Sequence, residues 1–471
     1  MKENPFHQDK EEMKELLQQY ENLKRGVGYS FIEEDAFEQI IEYFDDKDDL
    51  SSALEASDYG IEQYPFSSIL QIKKADILIA KRHYKEALEL LEKAELLDRG
   101  DINLYILKTD VYLALDQQKK ASDLLEKAIH FFNGEERIEL LFELADVYDD
   151  YEEFDKVFNC LKLILEQDQT NEEALYKICF WTDYTGRNEE GIKLHQKIID
   201  EHPFTELAWF NLGAAYQGIK LYEKAIDAYQ YAIAIDEKFD YAYRNMGDAY
   251  LRMRKYKDAI EVLQKVLELS RPEDVIYEAL GHCYDKLKNY AQARFHYRKA
   301  SHLTPEDSHL HYKVACTYMN ESQWETAIKN LENAMRIQRS AEYSFAMAQC
   351  YAGLNKTKDA VIYFSNFIKA RPKNIKGWKE LIKCLYNAGF YDEALEQVYN
   401  AIQSTTNKPL LVFYKAAVLI ALGKSKDAFL ILDAAIKQYP KMIKHLVELD
   451  SSLLQHQQLA VLIARLKKNR L

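Results

Sequence analysis

The residues that could do chemistry are few, and their spacing serves none of the reactions their types suggest. The run Asp45-Asp46-Lys47-Asp48-Asp49 offers carboxylate oxygens suited to calcium, but it lacks the glycine at loop position 6 and the glutamate at position 12 that a calcium loop needs. It reads as a solvated helix end. Zinc takes thiolates and imidazoles in tetrahedral sets, yet the six cysteines, Cys160, Cys179, Cys283, Cys316, Cys350 and Cys384, include no CxxC pair and no recurring histidine partner. His309 and His311 stand two apart, which turns them to different sides of a helix. Gly26-Val27-Gly28 lacks the third glycine and the preceding strand of a dinucleotide fingerprint. No GxxxxGK[ST], HExxH or GxSxG occurs. The expectation is a non-enzymatic chain with no catalytic residue, no cofactor and no metal.

The elements that would position any site must be helices. The 471 residues include 15 Gly and 8 Pro, well below the roughly 7% and 5% of average usage, and that is too few turn residues for a β-rich chain of this size. Lys and Arg number 62 against 77 Asp and Glu, for a formal charge of −15. Non-specific binding to nucleic acid or to anionic membranes needs the opposite balance, so no nucleic acid and no membrane is expected among the partners. The opening Met1-Lys2-Glu3-Asn4-Pro5-Phe6-His7 runs into charged residues without an apolar h-region, and no stretch reaches the ~18 uninterrupted apolar residues of a membrane helix. With sparse cysteines, a cytoplasmic location is expected.

A 34-residue period organises those helices. Trp209, Leu212, Gly213, Tyr216, Ala225, Tyr229 and Ala232 are followed 34 residues later by Tyr243, Met246, Gly247, Tyr250, Ala259, Leu263 and Val266, and then by Tyr277, Leu280, Gly281, Tyr284, Ala293, Tyr297 and Ala300. Extending this frame gives repeat starts at 34, 68, 102, 138, 172, 206, 240, 274, 308, 341, 375 and 409. Position 20 is then Ala in ten of the twelve repeats, and position 8 is small in ten. Six of the eight prolines, Pro65, Pro203, Pro272, Pro305, Pro372 and Pro440, fall at position 32 or 33. Positions 4, 7, 8 and 11 share one face of a first helix, and 20, 24 and 27 share one face of a second. Small residues at 8 and 20 let the two backbones approach closely, and proline ends the pair. One pair cannot bury both faces alone, so neighbours must stack.

This pattern of large residue, Leu-Gly, Tyr, Ala, aromatic, Ala and Pro resembles the tetratricopeptide repeat family over residues 34 to 442. The resemblance implies an all-α fold, a right-handed superhelical α-solenoid of stacked antiparallel helix pairs. It divides the chain into an N-terminal helix and linker (1–33), twelve repeats (34–442) and C-terminal capping helices (443–471). Met13, Leu16, Leu17, Tyr20 and Leu23 make an apolar stripe before the repeats, placed to cap the first repeat or to fold back on the groove. Leu446, Leu449, Leu453, Leu459, Leu462, Ile463 and Leu466 are the buried candidates after them.

In the family, positions 2, 5, 9, 12 and 13 of the first helix line the concave face, and the resemblance implies the same here. In the first five repeats those 25 positions carry 13 acids and no Lys or Arg, where composition alone gives about four acids and about three bases. Among them are Glu139, Asp146, Asp149, Asp150, Glu173 and Asp183, with Phe142, Tyr176, Phe180 and Tyr184 interleaved. These ten are the candidate partner-binding residues, and an acidic helix face that merely stays soluble is the competing reading. A second, basic patch comprises Lys376, Lys379 and Lys383 of repeat 11. Some family members clamp a carboxylate through Lys at position 5 and Asn at position 9, but here Arg244 is followed by Asp248. The expected function is a protein-interaction scaffold or adaptor whose groove takes a basic and apolar segment of a protein or peptide. The alternatives are a peptide-responsive regulator and a self-associating scaffold.

Overall fold

The computed structural model describes residues 5–27, 31–405, 408–455 and 459. Among them the chain is all-α, with 26 α-helices and two short 3-10 segments. The helix Pro5–Lys24 comes first, and twelve consecutive pairs follow, from Glu34–Asp45 with Leu50–Gln63 to Pro409–Ala421 with Ser425–Gln438. Consecutive helices pack antiparallel, as in a tetratricopeptide solenoid. Met1–Ala242 and Tyr243–Leu471 form two compact units.

Local rules recur from pair to pair. The first helices of many pairs are capped by a short polar side chain that accepts a backbone N–H: Ser67 from Leu70, Asp101 from Asn103, Asn171 from Ala174, Asp307 from His309 and Asn374 from Lys376. The turn between the helices holds a left-handed residue at position 15 of every repeat. It is Asp48, Arg82, Asp116, Glu152, Lys220, Arg254, Lys288, Ser322 or Asn355 in nine and Gly186, Gly389 or Gly423 in three. That conformation closes the first helix with the paired bonds of a Schellman motif, as where Arg82 N–H donates to Ile79 (2.8 Å) and His83 N–H to Leu78 (2.7 Å).

The close approach inside each pair has a steric basis. All ten alanines at position 20, from Ala53 to Ala428, are fully buried. A Cβ added to Gly213 would lie 2.5 Å from the ring of Tyr229, and one on Gly281 would lie 2.5 Å from that of Tyr297. The glycine is therefore the space that the position-24 ring occupies.

In the first unit, Tyr20 of the opening helix is buried with Phe37, Ile40 and Ile41 of the first pair, and Lys24 pairs with Glu55 at 2.6 Å. The opening helix thus covers the end of the first pair. The longer 36-residue step is absorbed by the helix Gly134–Asp150, which begins four residues ahead of the frame and runs for 17 residues. In the second unit the last pair is followed by a 3-10 turn Pro440–Ile443, a short helix Lys444–Leu449 and a 3-10 turn Ser451–Gln455. Leu446, Leu449, Leu453 and Leu459 are buried there, whereas Leu462, Ile463 and Leu466 lie outside the described residues.

Candidate partner-binding faces

The helix Gly134–Asp150 buries Leu140, Leu141, Leu144 and Ala145, and the helix Glu172–Tyr184 buries Ala174, Leu175 and Ile178. Their remaining faces point to solvent. Glu139, Asp146, Asp149, Asp150, Glu173 and Asp183 are exposed and Phe142 is half-buried. Tyr176, Phe180 and Tyr184 are large aromatics at 66%, 59% and 58% exposure. Phe180 stacks on Tyr184 with centroids 5.6 Å apart, and both meet Trp181 edge-on.

The acids of successive repeats feel one another. Burial raises the carboxyl of Asp76, and the charge of Asp45 adds to the rise. Burial and Asp76 raise Asp110, and burial with Asp110, Asp146 and Glu139 raises Glu143. Asp146 is raised by burial and by Asp149, Glu173 and Asp150, against the opposing pull of Lys177. A row of like charges therefore runs from the first repeat to the fifth, exposed except at the half-buried Glu143. Asp76, Asp110, Glu143 and Asp146 are harder to ionise than a free carboxylate, which is the condition for favourable capture of a cation.

Lys177 was absent from the sequence-based tally of this face. It sits at position 6 of repeat 5, 2.8 Å from Glu173 and 3.8 Å from Asp146, over the ring of Phe142 at 5.0 Å. Lys73, at the same position of repeat 2, pairs with Glu42 at 2.6 Å and approaches Glu38 at 3.9 Å. Position 6 thus reaches back to the acids of the preceding repeat, and its lysines neutralise part of the charge. The recurrence of Lys73, Lys177 and Lys313 at one position was the available signal.

Tyr176 and Phe180 also line a recess of about 250 Å³ with Cys179, Leu207, Phe210, Asn211, Phe239 and Tyr241. Asn211 is 2% exposed; its Nδ2 donates to the Leu175 carbonyl at 2.7 Å, while its Oδ1 has no hydrogen-bond partner among the described residues. A buried acceptor left unpaired costs about 1–3 kcal/mol, which a donor entering the recess would recover.

In the lysine patch, Lys379 is ion-paired with Glu448 of the short terminal helix, and Lys376 is exposed and lies over the ring of Phe345 at 4.7 Å. Lys383 is half-exposed one turn beyond Lys379. The described residues include no group of three or more His, Cys, Asp or Glu side chains placed to hold a metal ion, and no helix long and apolar enough to cross a membrane. Four cysteines are held near 12 by burial first of all, and none is an activated thiolate.

The family model of the tetratricopeptide repeat protein 21 C-terminal ARM domain matches residues 210–342. No protein of curated function gives a match. Similar solved structures include the Cut9 and Hcn1 hetero-tetramer of the APC/C, 14% identical over 86% of this chain and 96% of that one, with a TM-score of 0.36. YrrB, described as a tetratricopeptide protein with an unusual peptide-binding site, is 19% identical over 39% of this chain and 95% of its own (TM-score 0.36). MamA is 21% identical over 36% and 94% (TM-score 0.35). The uninterrupted helix pairs and their 34-residue frame give the described residues a tetratricopeptide-like architecture, and residues 210–342 match a family model of tetratricopeptide type.

Proposed function

We propose that this tetratricopeptide scaffold is non-enzymatic and binds a basic and apolar segment of a partner protein along the acidic face of its first five repeats. The observation that carries the reading is the row Asp76, Asp110, Glu143 and Asp146, each raised first by desolvation and further by a neighbouring carboxylate, together with the aromatic recess at Tyr176, Phe180 and Phe210. Cations on the segment relieve the repulsion along the row. An apolar or cationic side chain fills the recess, where aromatic faces attract both, and a donor on the segment meets Asn211 Oδ1. Charge sets the rate and selectivity of capture, and burial on the aromatics supplies most of the affinity.

The test compares the unaltered chain with an Asp146→Lys, Asp149→Lys, Asp150→Lys triple variant in a pull-down from cell lysate at low and moderate salt. All three side chains are exposed, so the variant keeps its fold. Like-charge juxtaposition costs several kcal/mol, so a direct partner loses at least about a hundredfold in affinity and is also weakened by salt. Partners held equally by both chains would overturn the reading.

A further inference from the structure

In the second unit the corresponding helix face is covered by the chain itself. At positions 5 and 9 of the first helix, repeats 1 and 4 present Glu38, Glu42, Phe142 and Asp146, all exposed or half-exposed. Repeat 12 has Phe413 and Ala417 there, and both are fully buried. Their cover is the terminal segment, whose Leu446, Leu449 and Leu453 belong to the same apolar cluster. Polar contacts extend from that segment past repeat 12 to repeat 11. Glu448 takes the ammonium of Lys379 and also a bond from His445 Nδ1 at 2.9 Å; the Tyr386 hydroxyl donates to Asp450 Oδ2 at 2.8 Å. Lys379 and Tyr386 are positions 5 and 12 of their repeat, on the face that carries the acids in the first unit.

We propose that this face of repeats 11 and 12 is a binding site for an acidic, leucine-bearing segment of a partner, kept closed by the chain's own residues 444–453. The occupant in place defines the chemistry: leucines at spacings of three and four, with a glutamate and an aspartate beside the second leucine, set against Phe413, Ala417, Lys379 and Tyr386. Its fit is incomplete. The Tyr414 hydroxyl, on the helix beneath, is buried with no hydrogen-bond partner among the described residues, although the charges of Glu448 and Glu380 are near enough to act on it. A partner segment that places an acceptor at Tyr414 satisfies a group the internal strap leaves bare, and the strap is a six-residue helix between two 3-10 turns. Both features make it displaceable.

The experiment uses the full chain and a fluorescent, end-capped peptide with the sequence of residues 443–455. Glu448→Lys sets two cations against each other and opens the strap, and Glu448→Lys with Lys379→Glu recloses it with the charges exchanged. If the closed state holds nine-tenths or more of the molecules, opening it raises peptide affinity about tenfold or more, and the double variant returns it to or below the level of the unaltered chain. A Glu448→Lys chain that keeps its helicity and binds the peptide no better overturns the proposal. Hydrogen exchange on the unaltered chain decides the case in which that variant unfolds. Amides of residues 446–450 exchanging at least about tenfold faster than those of the helix Pro409–Ala421 support a strap that opens on its own, and equal protection identifies a fixed structural cap and overturns it.

Discussion

Two parts of the repeat array use the same positions of the first helix in opposite ways. In repeats 4 and 5 the face is acidic, aromatic and open, with Tyr176 and Phe180 more than half exposed. In repeats 11 and 12 it is basic and apolar, and the chain's own Leu446, Glu448 and Leu449 lie on it. The helix frame is shared, and both faces carry apolar or aromatic side chains at positions 5 and 9. In repeat 12 Phe413 and Ala417 are covered by the terminal segment, whereas in repeat 5 Tyr176 and Phe180 stand exposed beside the acids of repeat 4. Fold sets where a partner can lie, and a few side chains determine whether the site is vacant or self-filled.

The largest expected effect comes from the same kind of truncation made on each face. Leu446→Ala removes a fully buried side chain, a change that costs about 2–5 kcal/mol. That is enough to release the strap, so hydrogen exchange should show residues 444–453 losing protection while the helix Ser425–Gln438 keeps its own. Phe180→Ala removes an exposed ring and should move stability by no more than about 0.5 kcal/mol, yet cost more than about 1 kcal/mol in partner affinity. Equal losses of stability from the two changes would abolish the distinction between a filled and an open face.

Acidification should drive the two faces in opposite directions. Glu448 is held down at about 2 by the hydrogen bonds from Lys379 and His445, against 4.5 for a free glutamate. Its contribution to closure is complete above pH 4.5 and fades as pH falls toward 2. Asp76, Asp110, Glu143 and Asp146 are raised, so the folded first unit binds their protons more readily than the unfolded chain does. Their repulsion is absent below the ordinary carboxylate range and grows as pH rises through the raised values. Exchange rates corrected for intrinsic pH dependence should therefore show the acid-bearing helices gaining protection as pH falls from the raised values into the ordinary carboxylate range, and the strap loosening between pH 4.5 and 2. A shared direction would break the contrast.

The parts of this arrangement that could be read from the sequence are those fixed by sterics within one repeat. Alanine at position 20 and glycine at position 8 recur because a larger side chain has no room, as Gly213 against Tyr229 illustrates. The left-handed residue at position 15 is equally regular, but Asp, Arg, Glu, Lys, Ser and Asn all adopt it, so no residue type marks it. The acids of repeats 4 and 5 could be read because exposed charge needs no partner to explain it. The cover over the lysine patch could not, since Lys379 and Glu448 stand 69 residues apart and nothing local links them. The apolar pair Phe413 and Ala417 does not mark it either, since repeat 6 carries Phe210 and Ala214 at the same two positions.

The smallest expected effect separates charge from shape on the open face. Lys177 lies among Glu173, Asp146 and Phe142, with its side chain about a third exposed. Partly exposed ion pairs contribute roughly 0–1 kcal/mol, so Lys177→Gln should change the melting temperature little. It removes the cation that competes with an incoming basic segment, and leaves Asp146 and Glu173 with no counter-charge from that side chain. Affinity for such a segment should rise about two- to fivefold at low salt, mostly through faster association, and the gain should vanish at high ionic strength. A loss of affinity would mean that Lys177 itself holds the partner, and the open face would then recognise an acceptor where its acids point to a cation.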